Sequence, residues 1–461
     1  MNARFLLAAA TGLLTAATAQ VKLPSYTRQV LPNGATVVTM PRPGVPLVHF
    51  RVMIRGGVES DPRQLPDLAA VTGSLLRRGT AKRSAAQFAE ELDSLGGTFN
   101  SASDLPLGSA TALTAEFLAK DFNRGLDLLA DAILQPAFPE SEVQKELSRA
   151  ADAVRAAKDN PQVAIGFYFQ PFFFGRQHPY GNPPDEASYA HMRRQDIVEY
   201  HQKAYCGKNL LIVAAGDVDS AASAKLGRAF GAAPAGAAFV PAAIAAAPAV
   251  RRALLIDKPD ATQTYFEIAL PGIPRNSPDR TVLELVNTLF GGRFTSILND
   301  ELRVNAGLTY GANSRLDAAR LPGAIAINTY TKTETTVQAI DLALDVLKRF
   351  QERGVTAEQL ASAKAYVKGL YPTRSLETVD QIAAAIGLIE TYGLGKDEVD
   401  GLFARIDAVT LDRANAAVRK YYSGETLTFV ILGAAAKIRD GVKKYTPQLT
   451  EISVKDPGWS K

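Results

Sequence analysis

Tyr205-Cys206-Gly207-Lys208-Asn209-Leu210-Leu211-Ile212-Val213-Ala214-Ala215-Gly216 reads as a turn, an apolar strand and a glycine stop. The same design returns 217 residues later as Tyr422-Ser423-Gly424-Glu425-Thr426-Leu427-Thr428-Phe429-Val430-Ile431-Leu432-Gly433. A segment of helical period precedes each copy, Arg194 to Lys203 and Leu411 to Lys420. A second pair keeps nearly the same spacing: Leu126-Asp127-Leu128 and Ile340-Asp341-Leu342 open similar amphipathic helices 214 residues apart. Two matches at nearly one offset imply a duplicated unit of about 215 residues, and two units are too few for a solenoid.

Between the copies, Ala229 to Val250 has no charged residue and is dominated by Ala, Pro and Gly, a linker composition. The expected organisation is a leader at 1–19, an N-terminal domain at 20–228, a linker at 229–250 and a C-terminal domain at 251–461. In the first domain, Gly34 to Met40, Leu47 to Ile54 and Ser109 to Glu116 read as strands. Leu65 to Leu76, Ala85 to Leu95, Asp121 to Leu134 and Glu140 to Lys158 read as helices. The second domain repeats the mixture, with strands at Gln263 to Leu270 and Ala324 to Thr329. Its helices fall at Asp279 to Leu289, Thr336 to Arg353 and Ala357 to Leu370. Hairpins and helices without a strict βαβ rhythm predict an α+β fold: two duplicated domains, each a mostly antiparallel mixed sheet with helices packed on one face.

The 461 residues are 47% hydrophobic and 21% charged, which excludes disorder as the main state. One cysteine excludes a disulfide framework and any multi-Cys metal site, and Cys206 reads as a small buried hydrophobe. The four histidines, His49, His178, His191 and His201, include no pair at metal-binding spacing. A net charge of +4 without a basic block gives no nucleic-acid footprint. Arg4, the uncharged run from Phe5 to Ala17 and Ala17-Thr18-Ala19 have the pattern of a secretory leader cut before Gln20. Read instead as an anchor, the run to Val21 lies at the bottom of the spanning range. An exported chain without stable membrane insertion is the expectation.

Six further segments occur in a telling order: Asn33-Gly34-Ala35-Thr36-Val37-Val38, Arg55-Gly56-Gly57-Val58-Glu59-Ser60, Arg78-Gly79-Thr80, Leu95-Gly96-Gly97-Thr98-Phe99-Asn100, His178-Pro179-Tyr180-Gly181 and Gly291-Gly292-Arg293-Phe294-Thr295-Ser296. Over about 400 residues they resemble the pitrilysin/insulinase-type zinc peptidases, the inverzincins, whose relatives include mitochondrial processing peptidase and the core subunits of the respiratory cytochrome bc complex. The resemblance implies that the two domains form half of a clam-shell chamber. It also implies a His-x-x-Glu-His helix with a distant third Glu, two imidazoles and a carboxylate holding zinc with one position open. Registered on Gly79-Thr80, that motif falls at Ala70-Val71-Thr72-Gly73-Ser74, where both histidines and the glutamate are gone. The third position falls near Ala153, beside Asp152. No zinc is expected in this chain. The histidines read as surface or turn residues rather than ligands.

The resemblance implies something retained as well. Ser296 to Tyr310 is similar to the family's C-terminal signature, in which an Arg and a Tyr seven apart belong to a zinc-less subunit and face the partner's metal. Here they are Arg303 and Tyr310, donors suited to a polarised carbonyl. Read from the residues alone, Arg303 caps a helix or pairs with Glu301 or Asp300, and Tyr310 is a core residue at a strand edge. Gly97, Thr98, Phe99 and Asn100 match the family's edge strand, to which substrate adds as a further strand. The implied function is that of a non-catalytic subunit of an exported heterodimeric zinc peptidase, periplasmic in a Gram-negative bacterium. A homologous partner would carry the zinc, and peptides would be the substrates. The alternative is a structural or binding homologue with no part in hydrolysis. A serine mechanism through Ser74 lacks a nearby base in the sequence.

Overall fold

The strand expected at Leu210 lies inside a six-stranded sheet. A computed structural model describes residues 21–242, 244 and 251–459; the expected leader and the end of the linker lie outside the described residues. The N-terminal sheet is built from β1 (Thr27–Val30), β2 (Thr36–Pro41), β3 (Leu47–Arg55), β4 (Thr98–Asp104), β5 (Ala110–Leu118) and β6 (Leu210–Gly216). Their order is β1-β2-β6-β3-β5-β4, with only the β2–β6 pair parallel. The C-terminal sheet uses β7 (Arg252–Asp257), β8 (Gln263–Pro271), β9 (Ala312–Ala318), β10 (Pro322–Lys332), β11 (Thr428–Gly433) and β12 (Leu449–Ser453). Its order, β12-β7-β11-β8-β10-β9, repeats the first around five equivalent strands. The copies differ at one edge: β1 runs antiparallel to β2, whereas β12 runs parallel to β7.

The helices follow the same offset. The first copy has the helices α1 (Leu68–Leu75), α2 (Ala85–Ser94), α3 (Phe122–Leu134), α4 (Glu140–Asp159), α5 (Pro161–Phe174) and α6 (Arg194–Ala204). In the second copy all but α2 recur, as α7 (Arg280–Asn287), α8 (Thr336–Arg353), α9 (Ala357–Ser375), α10 (Val379–Tyr392) and α11 (Leu411–Tyr421). The pairs α4/α9 and α6/α11 each start 217 residues apart, the spacing of the strand motif. The amphipathic faces read from the sequence are the ones buried: Leu126, Leu129 and Ile133 of α3, and Ile340, Ala343 and Leu347 of α8.

Each sheet carries its own helices on one face. The opposite face is covered by a helix of the other copy. Val38, Met40, Met53, Leu211 and Val213 pack on Ile382, Ile386 and Ile389 of α10. Reciprocally, Leu254, Ile256, Val430 and Leu432 join the core that contains Phe169 and Phe173 of α5, while the alternate residues Leu255, Phe429 and Ile431 face their own helices. Strands buried on both faces read as unbroken apolar runs, which is why Leu210–Gly216 showed no alternation. The sequence reading placed no helix at α5 or α10.

Ala229 and Phe230 close a helix begun at Ala222 rather than opening the linker. The segment after them is pinned to the first copy: Gly207 N–H donates to Pro234 O at 2.7 Å and Phe239 N–H donates to Asn209 Oδ1 at 2.6 Å. Among the described residues no helix is long and apolar enough to cross a membrane.

Candidate functional site

The start of α1 is organised by two acids. Asp61 accepts the backbone N–H of Asp67 at 2.9 Å and of Ala69 at 2.8 Å, satisfying donors that a helix start leaves open. Asp67 adopts a left-handed conformation, φ 74°, and its carboxylate accepts the Tyr189 hydroxyl at 2.8 Å. From there Leu68, Val71, Thr72 and Leu75 point into the core. Ala70 and Ser74, four apart and so on one side of the helix, line a cavity of about 980 Å³. Ser101, Ala102 and Ser103 of β4 and Glu146, Ala150 and Ala153 of α4 form the facing walls, and Leu321 of the second copy closes one side.

The residues at the expected zinc motif therefore do share one site with the third position near Ala153. Gly73 is packed against β4: a Cβ there would stand 2.4 Å from Ser101 Oγ and 3.1 Å from Thr111 Cγ2. Ser74 Oγ donates to the Val71 carbonyl at 2.9 Å and to Glu146 Oε1 at 2.7 Å. Glu146 also pairs with Arg149. It is the carboxylate the sequence reading missed, and the signal was its position two turns before Ala153 on the same face of α4. Asp152, beside Ala153, pairs instead with the exposed Arg155 and does not line the cavity.

Burial works to raise the Glu146 carboxyl. Hydrogen bonds from Arg149 and Ser74, with the guanidinium charges of Arg149 and Arg78, outweigh it and hold the group below its ordinary value. Asp67 goes the other way, pushed up to about 6 by burial despite the Tyr189 hydrogen bond, with the Glu146 charge adding to the rise. This donor set does not fit zinc. Ala70 and Gly73 offer no ligand, the Ser74 hydroxyl is a poor one, and the Glu146 carboxylate already takes hydrogen bonds from Ser74 and Arg149. Among the described residues no group of three or more His, Cys, Asp or Glu side chains could hold a metal ion.

Two histidines are buried, His178 in the turn expected for it and His49 in a strand. His178 is buried in its turn, where Nδ1 accepts the Tyr180 N–H at 3.1 Å and burial lowers its pKa to about 4. His49 is buried in β3 and likewise lowered to about 4 by burial. His201 is half-buried, with Nε2 2.8 Å from the Ile133 carbonyl; His191 is exposed at a helix end. Cys206 is buried, as expected.

β4 is the outermost strand, paired only with β5. Of the expected edge residues, Thr98 and Asn100 are exposed, whereas the Phe99 side chain is in the core against Phe88. Gly97 lies beside Phe117. The cavity touches the strand further on, at Ser101–Ser103.

Arg303 and Tyr310 do not line that cavity. Arg303 is half-buried in the last turn of a short helix, Asp300–Asn305, and Tyr310 follows it before β9, 81% exposed, so it is not a core residue; Phe294 is 69% exposed. The Arg303 guanidinium lies 4.5 Å from the Phe294 ring centroid. Glu301, a candidate partner from sequence, pairs with Arg349 at 2.7 Å instead. Among the described residues no carboxylate pairs with Arg303.

Comparison with known proteins places these features in a family. Residues 36–173 match the family model "Insulinase (Peptidase family M16)", and residues 191–367 match "Peptidase M16 inactive domain". A protein of Mycobacterium tuberculosis described as an uncharacterized zinc protease is 26% identical over 431 residues, 91% of this chain and 95% of that one. A similarly described Bacillus subtilis protein is 23% identical, covering 86% and 95%. The crystal structure of a peptidase M16 inactive domain from Pseudomonas fluorescens superposes with a TM-score of 0.81 at 24% identity, over 89% of this chain and 98% of that one. A protease from Helicobacter pylori gives 0.79 at 18% identity, over 89% and 100%. Both structures share the fold.

Proposed function

We infer a function from one premise: the chain belongs to peptidase family M16, of the insulinase type. It is a peptidase-like subunit that does no metal chemistry itself and works beside a homologous, zinc-bearing partner. The observation that carries this reading is a loss set beside a retention. Ala70, Gly73 and Ser74 stand where the family's motif side chains would be, and Ala70 and Ser74 line a cavity in which Glu146 is tied to Ser74 and Arg149. Arg303, half-buried in a short helical turn, and Tyr310, exposed after it, remain away from that cavity, and among the described residues no acid pairs with either.

The bound zinc of the partner would supply an activated water, a chemistry consistent with the zinc-protease relatives. This chain would supply the Arg303 guanidinium and Tyr310 hydroxyl as donors to the peptide carbonyl, and half the chamber wall. Donors set in advance around a developing oxyanion contribute about 2.7–4 kcal/mol each. A closed chamber admits peptides or unfolded segments and excludes folded proteins. The leader pattern at Met1–Ala19 supports export to a Gram-negative periplasm.

The test is capture of partners by the tagged mature chain from the periplasmic extract of its own source. Recovery of a homologue bearing His-x-x-Glu-His, with peptide cleavage by the mixture, is the expected result. Recovery of the chain alone, or of an unrelated envelope complex, overturns it and favours a structural role.

A further inference from the structure

A second cavity, of about 450 Å³, opens where α7, α9 and α10 of the second copy meet β3 of the first. Its apolar wall includes Val367, Leu388 and Leu402, and its polar wall includes Arg275, Arg280 and Arg374. Two acids, Glu284 and Glu398, also line it, and both are already neutralised. Arg280 binds Glu284 at 2.8 Å and also pairs with Glu398, which faces Arg405 at 3.5 Å as well. Of the other arginines that line the cavity, Arg51, Arg275 and Arg374, the last two are the less well matched. Arg275 reaches Glu398 only at 3.9 Å, and its Nε is buried with no hydrogen-bond partner among the described residues. Its pKa is drawn down by burial and by the Arg280 charge. Arg374, exposed in the last turn of α9, has no partner among the described residues.

A buried guanidinium N–H without an acceptor is costly, and an entering anion removes that cost. Forked donors on one wall and aliphatic side chains on another match a ligand with both characters. We propose that this cavity binds a small carboxylate carrying an apolar body, its carboxylate on Arg275 and Arg374 and its body against Val367, Leu388 and Leu402. A peptide C-terminus and a medium-chain fatty acid share that chemistry. The proposal does not depend on the peptidase reading, because it involves neither the α1 cavity nor Arg303 and Tyr310.

Calorimetry on the full chain tests it with N-acetyl-Leu-Phe, the same dipeptide as its C-terminal amide, octanoate and acetate. At least one of the two apolar carboxylates should bind one per chain, and the tighter one identifies the source. Acetate and the amide should bind at least tenfold more weakly. Arg374→Gln, an exposed change that leaves folding intact, should weaken the apolar carboxylate at least tenfold, and Ala385→Trp, at a residue of α10 that lines the cavity, should block it. Arg275→Gln should do the same where its melting curve shows a folded protein. Equal binding of acid and amide, no binding of either apolar carboxylate at millimolar concentration, or unchanged affinity in Arg374→Gln overturns the proposal.

Discussion

Arg303 and Tyr310 contribute little to holding the protein together. Tyr310 is almost fully exposed and Arg303 rests on an exposed ring. Arg303→Ala and Tyr310→Phe should shift the urea midpoint by no more than about 0.5 kcal/mol of stability. In a reconstituted complex with the zinc-bearing partner, each should lower kcat about 10²- to 10³-fold. Unchanged turnover would remove the role assigned to them. Asp67 gives a second test. Its folded pKa lies near 6, above the ordinary carboxylate value, so between about pH 4 and 6 the folded chain holds a proton that the unfolded chain has released. Stability from this group therefore falls as pH rises through that window. Asn tolerates the left-handed backbone and still accepts from Tyr189, so Asp67→Asn should flatten the fall and raise stability at pH 7. Asp61, also raised by burial, adds to the fall, while His49 and His178, lowered to about 4, work against it, so the variant is read as a difference from the unchanged protein. At this scale the count back from Gly79-Thr80 leads to Ala70 and Ser74, and the structure sets both on the wall of one cavity. Glu146 was not legible in the sequence: it becomes a neighbour of Ser74 only when α4 crosses α1.

Among the elements, those with one buried face were read almost to the residue: α4, α6, α8 and α11 start where expected. α5 and α10 were not read, for a common reason. A helix packed on more than one side shows no polar stripe, so its period disappears into an apolar run. Phe167-Tyr168-Phe169-Gln170-Pro171-Phe172-Phe173-Phe174 further hides α5 behind a proline. Yet these two helices join the copies. Ile382, Ile386 and Ile389 of α10 recur at i, i+4 and i+7, at most 1% exposed, against the outer face of the first sheet. Ile386→Ala should cost about 2–5 kcal/mol, since packing from two copies leaves little room to close the void. Amide exchange should then quicken in β3 and β6 of the first copy as well as in α10. Quickening confined to the second copy would contradict the packing.

At the scale of the whole molecule, the exchange of α5 and α10 predicts that neither copy is a separate folding unit. Residues 20–242 made alone would expose the apolar face that α10 covers, a patch that soluble monomers rarely tolerate. That fragment should be insoluble alone and recovered in solution when residues 243–461 are made beside it. The chain also carries its own reporter of the junction. Trp459 is the sole tryptophan, 1% exposed, at the end of the second copy. It stacks on Phe167 of α5 at 4.7 Å between centroids, and its indole N–H donates to the Pro184 carbonyl at 2.6 Å. Phe167 and Pro184 both line the α1 cavity, so the tail buttresses a wall of the candidate site from behind. Trp459→Ala should cost about 3–5 kcal/mol, and Trp459→Phe, which keeps a stacked ring and loses the N–H bond, about 1 kcal/mol. In the unchanged protein, urea should bring the loss of tryptophan burial and the loss of helical ellipticity at one midpoint, as two-state unfolding requires. A fluorescence transition well below the ellipticity transition would mean that the tail detaches from a still-folded pair of copies. The junction would then be a latch rather than part of a single core.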